Sequence, residues 1–319
     1  MYKKWIKKLN NIRKKLLVII HLRKKNSFSS NVEKQRIIIC FDGLFSHGGI
    51  VDRLKGIISF YEIAKALDYD FYIHFKNPFE LKHFLIPNKF NWEIDDKEMI
   101  YSFWSSKILF LMDDFTSNPL KILKQTKAKT IYVYSNRDYL PLLYSSNSEN
   151  ENNMIWRNNF NELFKTSHNL NQKLDLLPKE SRIVIHTRFT SLMGDFNDTT
   201  SKILDVKSRD ELIQKLISKI ETIASNFQDK KIYIVSDSHF FLQYIQENTS
   251  FNLLSGLPQH IDVKKNGFTD KSGIYKTFTD FFFIVDSDEI FLLRLDDMYN
   301  SGFSKYASIL GDKNFTLVQ

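Results

Sequence analysis

The chain has 319 residues, enough for two domains of ordinary size, and 43 % of them are hydrophobic and 14 % aromatic, which excludes wholesale disorder. The net charge of +8 is concentrated at one end: residues 1–25 hold ten lysines and arginines and no acid. The remainder carries 35 basic against 37 acidic residues, a net of −2, which excludes a general nucleic-acid binder.

The first 25 residues repeat apolar side chains at helical spacing (Trp5, Leu9, Ile12, Leu16 and Ile19 or Ile20), with Lys and Arg at most other positions. This predicts a basic amphipathic helix over residues 1–30. Its longest apolar run, Leu16 to Ile20, is far short of the roughly 20 residues a span needs. No long apolar core or small-residue cleavage site marks a signal peptide. The expectation is a helix lying on an anionic membrane face, with the protein cytoplasmic and peripheral on the inner face of the cell membrane. The alternative is a helix packed on its own fold.

Asn26 to Lys34 is polar and reads as a linker. Arg36 to Phe41 (RIIICF) reads as a buried strand, and its Cys40 as an inert, buried thiol. As the chain's one cysteine it can form no internal disulfide. That suits a reducing compartment, and no paired Cys/His spacing suggests zinc. A glycine-rich loop, DGLFSHGG, leads into a helix from about Ile50 to Leu67. Strands follow at Phe71 to Phe75, Ile108 to Met112 and Thr130 to Tyr134, with a short helix beginning near Pro119. SSNSENENN, Ser145 to Asn153, reads as an exposed loop, and a short helical segment near Trp156 to Phe164 leads to a boundary between Thr166 and Pro178.

The second half repeats the alternation. A strand at Arg182 to His186 comes first, then a helix opened by the capping-box pair Ser208 and Glu211. A strand at Lys231 to Val235 ends in Ser236 and Asp237, and a helix runs on through Ile245. An aromatic helix covers Tyr275 to Val285, a short strand Ile290 to Leu293, and a last helix begins after Ser301 or Gly302 and reaches Leu310. Strands alternating with helices predict parallel pairing with right-handed crossovers. The domains expected are residues 36–165 and 178–319, each an α/β unit with a parallel sheet, plus the helix of residues 1–30.

Chemistry gathers in the second half. Ligands of open α/β sheets bind beyond the carboxyl ends of the strands. His186 and Arg188 stand at one such end and Asp237 at another. Ser301 and Ser304 flank a helix start, where N–H groups and the positive dipole end suit phosphate. Arg188 offers a planar fork for phosphate oxygens, and Asp280 an acceptor for a base edge. Together they describe a nucleotide-diphosphate site.

GGIVDRLKGI after the first strand, HTR after the mid-chain strand, IVSD after a later one, and DFFFIVDSDEIF with NSGFSKYASIL near the end occur in this order. This order and spacing resemble the GT-B fucosyltransferase superfamily, which includes α-1,2- and α-1,6-fucosyltransferases, nodulation fucosyltransferases and protein O-fucosyltransferases. The resemblance spans about residues 36–310. It implies a GT-B-like α/β fold, two Rossmann-like domains facing a cleft, with GDP-fucose or a related GDP-sugar held by the C-terminal domain. It implies phosphate binding and catalysis by Arg188, nucleoside contact by His186, guanine binding by Asp280 and phosphate binding across Ser301, Gly302, Phe303 and Ser304, with Asp237 also on the donor side. Transfer would invert the anomeric centre, with no metal or other cofactor. His47, Gly49 and Arg53 of the first loop would contact the acceptor, and Asp52 would be catalytic.

Two departures stand out. Phe189 and Thr190 follow Arg188 where several members have a second basic residue and then Gly-Asp; here Gly194 and Asp195 come later. Asp52 and Arg53 stand where some members have Asn-Gln. No residue declares itself the general base; Asp52, Asp195 and His47 are the candidates. Asp286 and Asp288 mimic the metal-binding DxD of GT-A transferases. They lie too close to the C-terminus to be followed by an acceptor subdomain, so they read as surface acids, as do the pairs Asp113-Asp114 and Asp296-Asp297. The function expected is an inverting transferase moving a sugar, most simply fucose, from a GDP-sugar to a hydroxyl of a bacterial surface glycan or lipid-linked oligosaccharide. The alternatives are a metal-dependent GT-A enzyme using Asp286 and Asp288, and a non-catalytic nucleotide- or glycan-binding protein.

Overall fold

The structure, a computed structural model, describes residues 2–23, 32–112, 114–196, 202–259 and 271–319, with the side chains of the first helix from Ile12 to Leu22. Asp113 lies outside the described residues. The chain divides into two compact units, Met1–Lys165 and Thr166–Gln319.

The first unit opens with helix α1 (Tyr2–Arg23) and strand β1 (Arg36–Phe41), all of whose residues are buried. Then come α2 (Ile50–Leu67), β2 (Asp70–Phe75), the short β3 (Leu85–Pro87), β4 (Ser106–Leu111), α3 (Pro119–Lys124), β5 (Thr130–Ser135), α4 (Leu140–Leu143) and α5 (Glu149–Leu163). The sheet has the order β2-β1-β5-β4, every pair parallel. A continuous β-branched run such as RIIICF belongs in a strand covered on both faces. One cover is α2, which packs on β1, β2 and β5. Gly56 lets it approach closely, since a Cβ there would fall 2.5 Å from the Ser135 carbonyl oxygen. The other cover includes α1. Val18 and Leu22 are buried in a cluster with Ile38, Cys40, Ile108, Tyr132 and Tyr134. The Lys14 ammonium lies 4.5 Å from the centre of the Phe110 ring, and His21 Nε2 is 4.0 Å from the Asp42 carboxylate. The N-terminal helix is thus part of the first unit's core and does not stand apart from it.

The first unit ends on β6 (Phe164–Thr166), which pairs with β3; the second unit holds α6 (His168–Leu174), β7 (Arg182–Thr187), α7 (Val206–Ser225), β8 (Lys231–Ser236), α8 (His239–Asn248), β9 (Asn252–Leu253), α9 (Ser272–Val285), β10 (Glu289–Leu293), α10 (Gly302–Gly311) and β11 (Asn314–Val318). Its sheet has the order β11-β10-β7-β8-β9, again parallel throughout. Ile183, Ile185, Ile232 and Ile234 of the central strands pack on Leu212, Leu216 and Ile220 of α7 and on Phe241 and Ile245 of α8.

Two readings of the sequence change here. The polar stretch from Ser145 to Asn153 is a loop only as far as Ser148. There a capping box with Glu151 starts α5, and Trp156, Phe160 and Leu163 bury the helix that follows. The helix expected to open at Ser208 starts instead after Asp205, whose carboxylate accepts the Ser208 N–H.

Candidate functional site

The β7–β8 register aligns Thr187 with Ser236, so the next residues, Arg188 and Asp237, meet just beyond the carboxyl ends of two adjacent strands. Arg188 Nη1 lies 3.1 Å from Asp237 Oδ2. The same carboxylate accepts the Phe189 N–H at 2.8 Å and the Thr190 N–H at 2.8 Å. Burial pushes the Asp237 carboxyl above its ordinary value, while Arg188 and the two N–H donors pull the other way. Thr190 sits at φ 57°, the left-handed region that a β-branched residue avoids. Its turn is held by Asp237 and by its own hydroxyl, which donates to the Phe189 carbonyl at 2.5 Å. Asp237 and the Thr190 hydroxyl hold this strained turn in place beside Arg188. The guanidinium of Arg188 also lies 4.9 Å from the centre of the Phe196 ring.

The segment before α10 is tied to this turn, because the Tyr299 N–H donates to the Arg188 carbonyl at 3.1 Å. Ser301 caps α10, accepting the Phe303 N–H at 3.2 Å. Ser304, fully buried, is 2.9 Å from His186 Nδ1, and Phe303 leans on the His186 ring at 5.6 Å. Burial first and Arg188 second push the His186 pKa down to about 3, so the imidazole is neutral. The start of α10 therefore lies beside His186 and Arg188. A helix of this length presents unsatisfied N–H groups in its first turn, the chemistry an anion needs. The start of α8 differs. Asp195 occupies it, accepting from the Ser238 hydroxyl at 3.0 Å and the Phe240 N–H at 2.6 Å.

The structure thus brings together His186, Arg188, Asp237, Ser301, Gly302, Phe303 and Ser304. Asp280 is placed differently. It is fully enclosed in α9 with its carboxylate on Lys276 one turn earlier, and burial, opposed by that ammonium, pushes its carboxyl up. Lys276, Phe189 and Thr190 were not anticipated. Only Lys276 carries a sequence signal, its i,i+4 spacing to Asp280.

Asp286 and Asp288 lie at the opposite, amino end of this sheet. Asp286 accepts from Arg182 Nη2 at 2.9 Å. Asp288 accepts the Ser181 hydroxyl at 2.5 Å and the Arg182 N–H at 3.1 Å, with Lys230 at 3.4 Å. Asp296 and Asp297 pair with Lys215 and Lys202, and Asp114 accepts the Thr116 and Ser117 N–H groups of its own turn.

In the first unit the loop after β1 turns its large side chains inward. His47 is buried edge-on against Phe41 at 4.7 Å, and burial, then Arg53, lower its pKa to about 3. Arg53 donates to the Asn77 carbonyl at 2.7 Å and the Gly48 carbonyl at 3.2 Å, and its guanidinium covers the Phe75 ring. Both residues tie the loop down. Gly48, at φ 77°, lies against the Asp52 carboxylate, where a Cβ would fall 2.6 Å from Oδ2. Gly49 faces open space, and Asp52 keeps a partly exposed carboxylate paired with Lys55 at 2.9 Å. Among the described residues no group of three or more His, Cys, Asp or Glu is placed to hold a metal.

No family model matches the sequence, and no curated protein does either. Solved structures do match by shape. Arabidopsis thaliana FUT1, a point mutant in complex with GDP, superposes with a TM-score of 0.58 at 12 % identity, covering 96 % of this chain and 74 % of that one. Fucosyltransferase NodZ from Bradyrhizobium gives 0.55 at 15 %, covering 87 % and 94 %. NodZ α-1,6-fucosyltransferase soaked with GDP-fucose gives 0.53 at 14 %, covering 87 % and 93 %. The chain has the fold of the GT-B fucosyltransferases. The Arg188 cluster occupies the carboxyl edge of the second unit's sheet, where open α/β sheets bind their ligands.

Proposed function

We propose that the protein is a glycosyltransferase that moves fucose from GDP-fucose to a hydroxyl of a bacterial surface glycan or lipid-linked oligosaccharide, with inversion, at the inner face of the cell membrane. The observation that carries this reading is Arg188 on the Asp237-bound, strained turn, tied through its backbone carbonyl to the segment that leads into α10. The GDP named in the complexes of similarly folded proteins supports the choice of nucleotide.

In this reading the diphosphate meets the N–H groups of α10 and the fork of Arg188. Negative charge grows on the leaving diphosphate as the glycosidic bond breaks. A preorganised guanidinium stabilises that charge more in the transition state than in the ground state. His186 stays neutral and contributes shape and hydrogen bonding, its ring fixed by Ser304 and Phe303. Asp280 reaches a guanine edge only by releasing Lys276. Asp52 takes the acceptor proton, and Gly49 borders the acceptor, both on the exposed side of the first unit's strand-end loop. A cavity of about 400 Å³ beside β2 is lined by Phe75 and Trp92 together with both carboxylates and ammoniums, Glu93, Asp96, Lys76 and Lys82 among them. The metal-dependent alternative is disfavoured because Asp286 and Asp288 are committed to Arg182, Ser181 and Lys230 at the far end of the sheet.

The test is calorimetric titration with GDP, UDP and CMP, followed by turnover of GDP-fucose and GDP-mannose. GDP should bind and the other two should not. Binding of UDP or CMP in preference to GDP would refute the donor assignment, and GDP binding without any transfer would favour a non-catalytic role.

A further inference from the structure

Helix α1 has two apolar faces, and the fold uses one. Val18 and Leu22 are inserted into the first unit's sheet. At 3.6 residues per turn, Ile12, Leu16 and Ile20, spaced four apart, fall on the side away from them, with Leu17 beside. All four are about half exposed. Arg13 is exposed among them, and Lys15 is exposed at the edge of the inward face. The surrounding sequence is uniformly basic, with ten Lys and Arg and no acid in residues 1–25. No helix of the described residues is long and apolar enough to cross a membrane.

We propose that this outward face is a docking surface for an anionic lipid bilayer, and that the inward face fixes how the first unit's sheet is carried on it. The inference rests on the reading of the protein as a membrane-side transferase, but it concerns a different surface. The occupant follows from charge and shape together. A narrow apolar stripe flanked by cations matches a layer of anionic headgroups over acyl chains. A second copy of the same helix would set cation against cation. Because α1 is built into the core, docking needs no unfolding and no detached anchor. The side chains of Leu16 and Ile20 can be changed without disturbing Val18 and Leu22.

The experiment uses the full chain with vesicles of phosphatidylcholine, alone or mixed equally with phosphatidylglycerol. The unaltered protein should co-sediment with the mixed vesicles and not with phosphatidylcholine alone, and added salt should weaken the binding. Leu16→Ser with Ile20→Ser should bind about tenfold more weakly or worse, given the apolar burial lost. Arg13→Gln with Lys15→Gln should bind more weakly while losing part of the salt dependence. GDP affinity, measured on the same preparations, should be unchanged in both variants, so failure of the donor reading and failure of this one are told apart. Unaltered vesicle binding in the Leu16/Ile20 variant would overturn the proposal. So would a wild-type dimer that the same variant splits to monomers, or binding that ignores the lipid charge.

Discussion

In the proposed transfer, Arg188 is the residue on which the chemistry turns. Arg188→Ala should lower transfer about 10²-fold or more, as loss of a charge-stabilising donor does elsewhere, with the fold intact by circular dichroism. Arg188→Lys should rescue only part, because an ammonium lacks the bidentate fork. Turnover near wild type in either variant would return Arg188 to the status of a strand-end ion pair. His186 and His47 yield a second prediction. Each is pushed down to about 3 from an ordinary value of 6.5. The unfolded chain takes up both protons near pH 6.5 while the folded chain refuses them. The two imidazoles therefore contribute stability that is complete above about pH 6.5 and lost as pH falls toward 3. Thermal unfolding followed across that window should show a falling midpoint. His47→Phe, which keeps the contact with Phe41, should make the fall shallower, and a slope identical to wild type would contradict the burial argument. His186 and Arg188 were legible because a β-branched run followed by HTR puts polar groups at a strand end. The roles of Asp237, Phe189 and Thr190 were not. They depend on a neighbouring strand aligned by register, 47 to 48 positions away in sequence.

At the scale of elements, the central sheet strands and most long helices were readable because each has strong periodicity or an apolar run, whereas the edge strand β11, largely exposed, was not. The short pieces β3, α6 and β9 were not, having too few residues for any pattern to stand out. Composition misled at Ser145 to Asn153, where a polar stretch hid the capping box of α5. The basic pattern of α1 was legible, yet its periodicity does not say which surface an amphipathic face meets. Val18 and Leu22 meet the sheet. Deleting residues 1–23 should therefore expose Ile38, Cys40, Tyr132 and Tyr134 and cost the first unit about 3 to 6 kcal/mol, from two buried aliphatic side chains. Chemical denaturation and dye binding would measure it. An equally stable truncated protein would mean that the helix only rests on the sheet. Asp286 and Asp288 support a separate prediction. They anchor the amino ends of β7 and β10, so Asp286→Asn with Asp288→Asn should lower stability modestly. Transfer, and its indifference to chelators, should be unchanged. Activity lost on chelation and restored by manganese would revive the metal-dependent reading.

For the whole molecule, two parallel-sheet units and a second-unit cluster of His186, Arg188 and the start of α10 make one claim, that the protein binds GDP as the leaving group of a sugar donor. A ligand that binds only the folded chain stabilises it by mass action, by about 2.7 kcal/mol at a concentration one hundred times its Kd. The most direct measurement is thermal unfolding of the full chain with GDP, UDP or CMP in parallel, repeated on Arg188→Ala. The account predicts a rise of several degrees with GDP, little with UDP or CMP, and a much smaller rise with GDP in the variant. Equal stabilisation by all three nucleotides, or a GDP response that survives Arg188→Ala in full, would contradict it.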